Sequence, residues 1–258
     1  RVEVADGSSL GGPDHERGGE GRRNLPSFHE RVALLGDTFA AFATGRALQV
    51  GHLHEIVLAL LDALDDEPDP LAHFAPWEGE RRWPAVHAHN TAALTLGLAR
   101  LAGVGHDPAA DLGVAALVHD LGKAFLPEDA VARELELTGD ELEPILDHPR
   151  DGLRYLLPAK QLPPVAWIVT VEHHLEYRGT GYPRLPRPRR PHPATRLVSV
   201  ADAFVNLYTM RGGRGLVTRE GTLAWLGARA GTVFDPAWVG ALRELTEAGA
   251  MADPHDPG

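Results

Sequence analysis

From Phe28 onward, apolar residues recur three and four apart, and stretches that alternate apolar and polar residues are scarce. That spacing gathers apolar side chains on one face of a helix, whereas a strand needs a period of two. Val32, Leu35, Phe39 and Phe42 define one such face. Ile56, Leu60 and Leu64 define another over residues 50–64, which Asp65 to Pro70 break. Further helices are predicted over 84–102, 108–119, 163–175 and 196–209. Thr138 and Glu141 read as a capping box that opens a helix before Leu142, Ile145 and Leu146. Asp235-Pro236 reads as a cap followed by proline at the first helical position. No strand–helix repeat occurs, so the expected fold class is all-α.

Composition narrows the chemistry. Residues 1–26 are dense in glycine and charge and are expected to form a flexible segment. With no cysteine in 258 residues, disulfides and thiolate metal sites are excluded, and any metal must be held by imidazole and carboxylate. A formal net charge of −11 argues against a nucleic-acid polymer as partner. No apolar run approaches the ~18 residues of a membrane helix, and no secretory signal is visible. A cytoplasmic protein that does not enter the membrane is the default expectation.

Histidine is abundant, at 14 residues, but nine (His15, His29, His52, His54, His73, His89, His106, His192 and His255) fit no constellation. The others do. His119-Asp120 ends the apolar run of VAALVHDLGKAF, with Gly122 positioned to stop the helix and let both side chains converge. His87 lies about one helix upstream and His148 about one helix downstream, His173-His174 close an apolar helix, and Asp202 sits in a later one. Mixed imidazole and carboxylate ligands suit divalent transition metals. Asp120 is the natural carboxylate to bridge two ions. Two such ions lower the pKa of a water between them and offset charge on a phosphoryl group. No serine or cysteine nucleophile is then needed.

HAHNTAAL at 87–94, HDLGK at 119–123, HPRDG at 148–152, HHLEYRGTGYP at 173–183 and VSVADAFVNLYTMR at 198–211 together resemble an HD-GYP domain, a branch of the HD metal-dependent phosphohydrolases similar to cyclic-di-GMP phosphodiesterases. The resemblance covers about residues 81–250 in motif order and includes an intact Gly181-Tyr182-Pro183. It implies an HD-type helical bundle over 81–250, an N-terminal helical region over 27–80 and a flexible tail at 251–258. It also implies metal ligands at His87, His119, Asp120, His148, His173, His174 and Asp202, with Asp120 and Lys123 catalytic. Lys123 matches a lysine that contacts substrate phosphate, and Tyr182 and Arg211 match guanine or phosphate contacts. His87 is preferred to His89 because His-x-x-Asn then places Asn90 where relatives carry asparagine. The two histidines stand about 200° apart on a helix and cannot share one centre. The family holds iron or manganese in two- or three-metal centres. Trp83 stands where three-metal relatives carry glutamate, so two divalent ions are expected.

The implied reaction is attack of a metal-bridged hydroxide on a phosphate of cyclic-di-GMP, giving the linear dinucleotide or GMP. Leu175 and Arg178 depart from the family pattern, which has glutamate after the paired histidines and aspartate or asparagine just before the glycine. Arg178 would contact a phosphate if it faced the cleft. Two other readings therefore stay open: a metal-containing nucleotide-binding or interaction module with weak turnover, and an HD hydrolase of another nucleotide phosphoester. Arg178, Arg184, Arg187, Arg189, Arg190 and Arg196 lie in one proline-rich loop. It is either simply solvated or draws an anionic substrate or a protein partner's acidic face. The helices of 27–80 carry no sensory signature and serve either to pack on the bundle or to form a homodimer contact.

Overall fold

The structure, a computed structural model, describes residues 26–76, 83–127, 130–131, 137–184, 186–209 and 218–248. The expected N-terminal flexible segment (Pro26 apart), the tail at 251–258, Arg211 and the side chain of Trp83 lie outside these residues. Regular structure among them is helical: α1 Phe28–Ala43, α2 Val50–Asp66, α3 Trp83–Leu101, α4 His106–Val118, α5 Glu143–Leu146, α6 His148–Leu156, α7 Pro164–Glu172, α8 Pro193–Tyr208, α9 Arg219–Gly227 and α10 Pro236–Ala248. Short 3₁₀ turns span Pro70–His73, Leu121–Phe125 and Gly139–Glu141. Extended pairing among the described residues is confined to the isolated bridges Leu175 with Gly181 and Ala230 with Phe234. The all-α expectation holds.

The predicted faces pack as their periodicity requires. Leu35 on α1 and Leu53, Ile56, Leu60 and Leu64 on α2 are fully buried, each stabilising by about 1.5–3 kcal/mol relative to exposure. α1 opens on a capping box that the periodicity alone did not reveal: Glu30 N–H donates to Ser27 Oγ at 3.3 Å, and Ser27 N–H donates to Glu30 Oε2 at 2.7 Å. At the other end, Ala237 N–H donates to Asp235 Oδ1 at 3.0 Å, so the Asp-Pro cap of α10 is formed.

The second capping box is not. Thr138 makes no side-chain capping bond, and only a 3₁₀ turn and the single turn of α5 follow it. The reason lies in Pro144 and Pro149, which lack the N–H that a continuous helix would use. The chain breaks at Asp147 and restarts at His148 as α6.

α3 is the axis of the bundle. It packs against α1, α2, α4, α8 and α10, and every residue from Ala85 to Ala99 is buried. A helix buried all round must pair its polar side chains internally. Arg31 Nε donates to His89 Nε2 at 3.2 Å, which leaves Nδ1–H of His89 to donate to Asn90 Oδ1 at 3.2 Å. Asn90 in turn accepts from Ala75 N–H at 2.7 Å and donates to its carbonyl at 3.0 Å. This chain of bonds ties α1 and the 74–76 segment to α3. It leaves the opposite side of α3, where His87 projects, to face α4 and α8.

Candidate metal centre

The last turn of α4 delivers His119 and Asp120 side by side because the helix stops there, and the 3₁₀ turn Leu121–Phe125 takes over. Gly122 makes the stop possible. A Cβ at this position would lie 2.1 Å from the His148 carbonyl oxygen and 2.9 Å from Gly152 N. The turn therefore rests directly on the backbone of α6, which brings Asp120 to His148. Gly181 does the same for the other wall: its φ is +87°, and a Cβ there would lie 2.2 Å from the His174 carbonyl oxygen. The turn after His174 folds back and stacks the Tyr182 ring on the His174 ring, with centroids 4.4 Å apart and planes 22° apart.

The proposed ligands converge in two adjoining groups. In one, Asp120, His148, His173 and His174 each offer a ligand atom within 4.8 Å of the others; in the second, His87, His119 and Asp202 do so. Asp120 Oδ1 stands 2.9 Å from His148 Nε2 and 3.4 Å from His173 Nε2. Asp202 Oδ1 stands 3.0 Å from His87 Nε2 and 3.6 Å from His119 Nε2. The groups touch, since His119 and Asp120 are chain neighbours and the His119 and His173 rings lie 5.0 Å apart.

Three of these rings are held alike. Nδ1 of His119, His148 and His173 lies 2.7, 2.5 and 2.9 Å from the carbonyl oxygen three residues earlier, at Ala116, Ile145 and Thr170. A carbonyl only accepts, so Nδ1 carries the hydrogen and the neutral ring turns its Nε2 lone pair inward. Metal-binding histidines are oriented in just this way. His148 and His173 then face each other Nε2 to Nε2 across 3.1 Å, and His87 faces His119 across 3.4 Å. Between His148 and His173 two lone pairs meet, and at that distance they repel unless a cation lies beside both. Ligands held about 2.0–2.2 Å from a shared ion, at angles near 90–110°, stand about 3.0–3.5 Å apart. The observed spacings match the edges of such a coordination shell, so the residues fit the group.

Charge favours a cation as well. Burial pushes the Asp120 carboxyl up, but Lys123 and His148 outweigh it and hold the group well below the usual carboxylate range. Burial likewise pushes Asp202 up, and the His119 and His87 rings against its Oδ1 bring it well down, while the two carboxylates in turn raise His119 against its own burial. Burial lowers His173 to about 4 and His174 well below its ordinary value. Ionised carboxylates and neutral imidazoles are the forms that bind metal.

The remaining predicted residues divide. Lys123 is at the centre, with Nζ 3.1 Å from Asp120 Oδ2, and Tyr182 covers His174. Arg178 is exposed and turned away: its Nε donates to the Gly231 carbonyl at 3.0 Å, and its backbone N–H donates to Thr232. Leu175 is buried beside the histidine pair. His89 belongs to the relay on the opposite side of α3 described above.

The family model described as HD domain matches residues 74–238. The chain belongs to the HD domain family. Membership in the HD domain family brings divalent-metal binding with it, and the resemblance to HD-GYP domains agrees. The chain is 36% identical over 131 residues to the cyclic di-GMP phosphodiesterase response regulator RpfG of Xanthomonas campestris, covering 50% of this chain and 34% of the relative. It is 27% identical over 151 residues to the cyclic di-GMP phosphodiesterase PA4108 of Pseudomonas aeruginosa, covering 58% and 36%. The chain thus spans about a third of the length of these curated relatives. An HDG"Y"P protein from Bdellovibrio bacteriovorus shares the fold, with a TM-score of 0.65 at 17% identity over 87% of this chain and 74% of that one. Among the described residues no helix is long and apolar enough to cross a membrane.

Sequence reasoning missed the supports of the HD centre. Asn206 Nδ2 donates to Asp202 Oδ1 at 2.7 Å, and Ser199 Oγ donates to the His173 carbonyl at 2.8 Å. The first was legible as an i,i+4 pair on one helix. The second joins residues 26 apart and left no local signal.

Proposed function

We propose that this chain hydrolyses a phosphodiester bond of a cyclic dinucleotide, with cyclic-di-GMP as the leading substrate and two divalent ions, iron or manganese, as cofactors. The observation that carries the reading is the pair of inward-facing imidazole groups, each completed by an ionised carboxylate. When bound, the ions offset charge on the phosphoryl group and lower the pKa of a water. The ligands would be His87, His119, Asp120, His148, His173, His174 and Asp202, and Asp120, the chain neighbour of His119, is the carboxylate we assign as the bridge between the two groups.

The other residues have distinct tasks in this reading. Lys123 holds its ammonium beside Asp120 and meets the charge that develops on a phosphoryl or leaving oxygen. Tyr182 fixes the His174 ring by stacking and offers its other ring face to a base. Arg178, engaged with Gly231, brings no positive charge into the ligand set, and Leu175 brings none either. The departures at Leu175 and Arg178 therefore leave the ligands undisturbed, which favours turnover over a purely binding role. We assign the helices of 27–80 to bracing α3, because their large apolar side chains are mostly spent inside the bundle. The exposed Arg184 and Arg187 are where an acidic partner face would dock in this reading.

A mixed cyclic dinucleotide is the second candidate substrate. The chain is 27% identical over 168 residues, 65% of its length, to a 3'3'-cGAMP-specific phosphodiesterase 2 of Vibrio cholerae, covering 32% of that protein. The deciding experiment incubates anaerobically prepared, Fe- or Mn-loaded protein with cyclic-di-GMP, 3'3'-cGAMP and linear dinucleotides. Cleavage of cyclic-di-GMP that stops on chelation supports the proposal. A loaded protein that leaves every cyclic dinucleotide intact overturns it.

A further inference from the structure

Glu172 is a buried carboxylate outside the ligand set, only 1% exposed, at the last position of α7. A carboxylate this deep persists only where its lone pairs are filled. Its Oε1 accepts from the Arg189 guanidinium. Its Oε2 accepts from His192 N–H at 2.7 Å and from Thr195 Oγ1–H at 3.2 Å. His192 caps α8 and Thr195 lies in its first turn, so the carboxylate also sits where the helix dipole favours negative charge.

These partners connect two parts of the centre. His173 and His174, of one ligand group, follow Glu172 directly in the chain. Asp202, of the other group, lies two turns after Thr195 on the same side of α8. Arg189 leads to a third part. A Cβ on Gly179 would lie 2.8 Å from the Arg189 carbonyl oxygen, so the turn that carries Tyr182 rests on the Arg189 backbone.

Resting on the function proposed above, we infer that Glu172 is a positioning residue with two separable effects. Its Oε2 bonds set the spacing of α8 against α7 and hence of the two ligand groups. Its bond to Arg189 sets the place of the arginine-rich loop and of Tyr182 over His174.

The test uses the full chain and three variants, with Mn2+ content after desalting, thermal melting and steady-state cleavage of cyclic-di-GMP as readouts. Glu172→Ala should fold, lose about 10–100-fold in Mn2+ affinity at one of two sites, and show a reduced kcat. Glu172→Gln keeps an acceptor for His192 and should restore the Mn2+ content. It should then resemble Arg189→Ala, with KM raised about tenfold and kcat little changed. Wild-type metal content and kcat in Glu172→Ala would overturn the inference, as would metal loss in Glu172→Gln equal to that of alanine. If the alanine variant fails to fold, unchanged KM in both Glu172→Gln and Arg189→Ala overturns it. A wild-type chain that takes up Mn2+ without cutting cyclic-di-GMP sinks the proposed function alone. The Mn2+ count and cyclic-di-GMP binding then still decide the role of Glu172.

Discussion

His148 and His173 face each other Nε2 to Nε2 across 3.1 Å, each with its Nδ1 on the carbonyl three residues back. Without a cation this arrangement is a local cost, because two acceptors meet in a buried site with no hydrogen between them. His173→Gln replaces one acceptor by an amide that can donate to His148. In the presence of chelator this variant should melt at or above the wild-type temperature. With Mn2+ the order should reverse, since a ligand bound only by the native state stabilises it by about 2.7 kcal/mol at a hundredfold excess over Kd. A wild type that melts above the variant under both conditions would contradict the account.

Asp120 and Lys123 are in contact but differ in role, so their variants should differ in kind. Asp120→Asn exchanges an ionised ligand for a neutral amide and should lower both metal content and activity by more than about 100-fold, ligands being at least as critical as the residues behind them. Lys123→Met keeps the length of the side chain without its charge. It should retain the metals and lose about 10²–10³ in kcat. Elemental analysis beside kinetics separates the two, and metal loss in Lys123→Met would show that lysine to be structural.

Local patterns carried most of what the sequence revealed. The apolar stripes of α1 and α2, and the end of α4 at His119, follow from residues within a few positions of one another. The convergence of His87 with Asp202 joins residues 115 apart, and it became visible only when five motifs were read together as one resemblance. Glu172 stayed hidden for a related reason. An acid at the end of an apolar run looks like an ordinary helix terminus until Arg189, His192 and Thr195 close on it. The capping box at Thr138 failed because two prolines outweighed the local cap, a competition between neighbouring signals rather than between distant ones.

His89 predicts how stability responds to acid. Burial, with Arg31 beside it, lowers its pKa from 6.5 to about 3, because its Nε2 already accepts from Arg31 and cannot also hold a proton. The folded state therefore disfavours the protonated form. Its contribution is complete above pH 6.5 and is lost as the pH falls from there towards 3, at up to about 1.4 kcal/mol per pH unit. Chelated protein unfolded in urea across this range should lose stability faster than His89→Gln does. Parallel curves for the two proteins would remove His89 from the account.

Gly122 gives the sharpest steric prediction. An added Cβ would lie 2.1 Å from a backbone carbonyl oxygen of α6, and backbone, unlike the end of a flexible side chain, cannot swing aside. Gly122→Ala must push the 121–125 turn away from α6, and Asp120 from His148. It should cost about 3 kcal/mol or more, and in whatever fraction folds the Mn2+ affinity should drop. Gly240 is the matched control, lying inside α10 with nothing within 4 Å of a Cβ. Gly240→Ala should stabilise by about 0.5–1 kcal/mol through helix propensity and leave the metals untouched. Equal behaviour of the two variants would mean that the close approach of the turn to α6 is not what brings Asp120 to the centre.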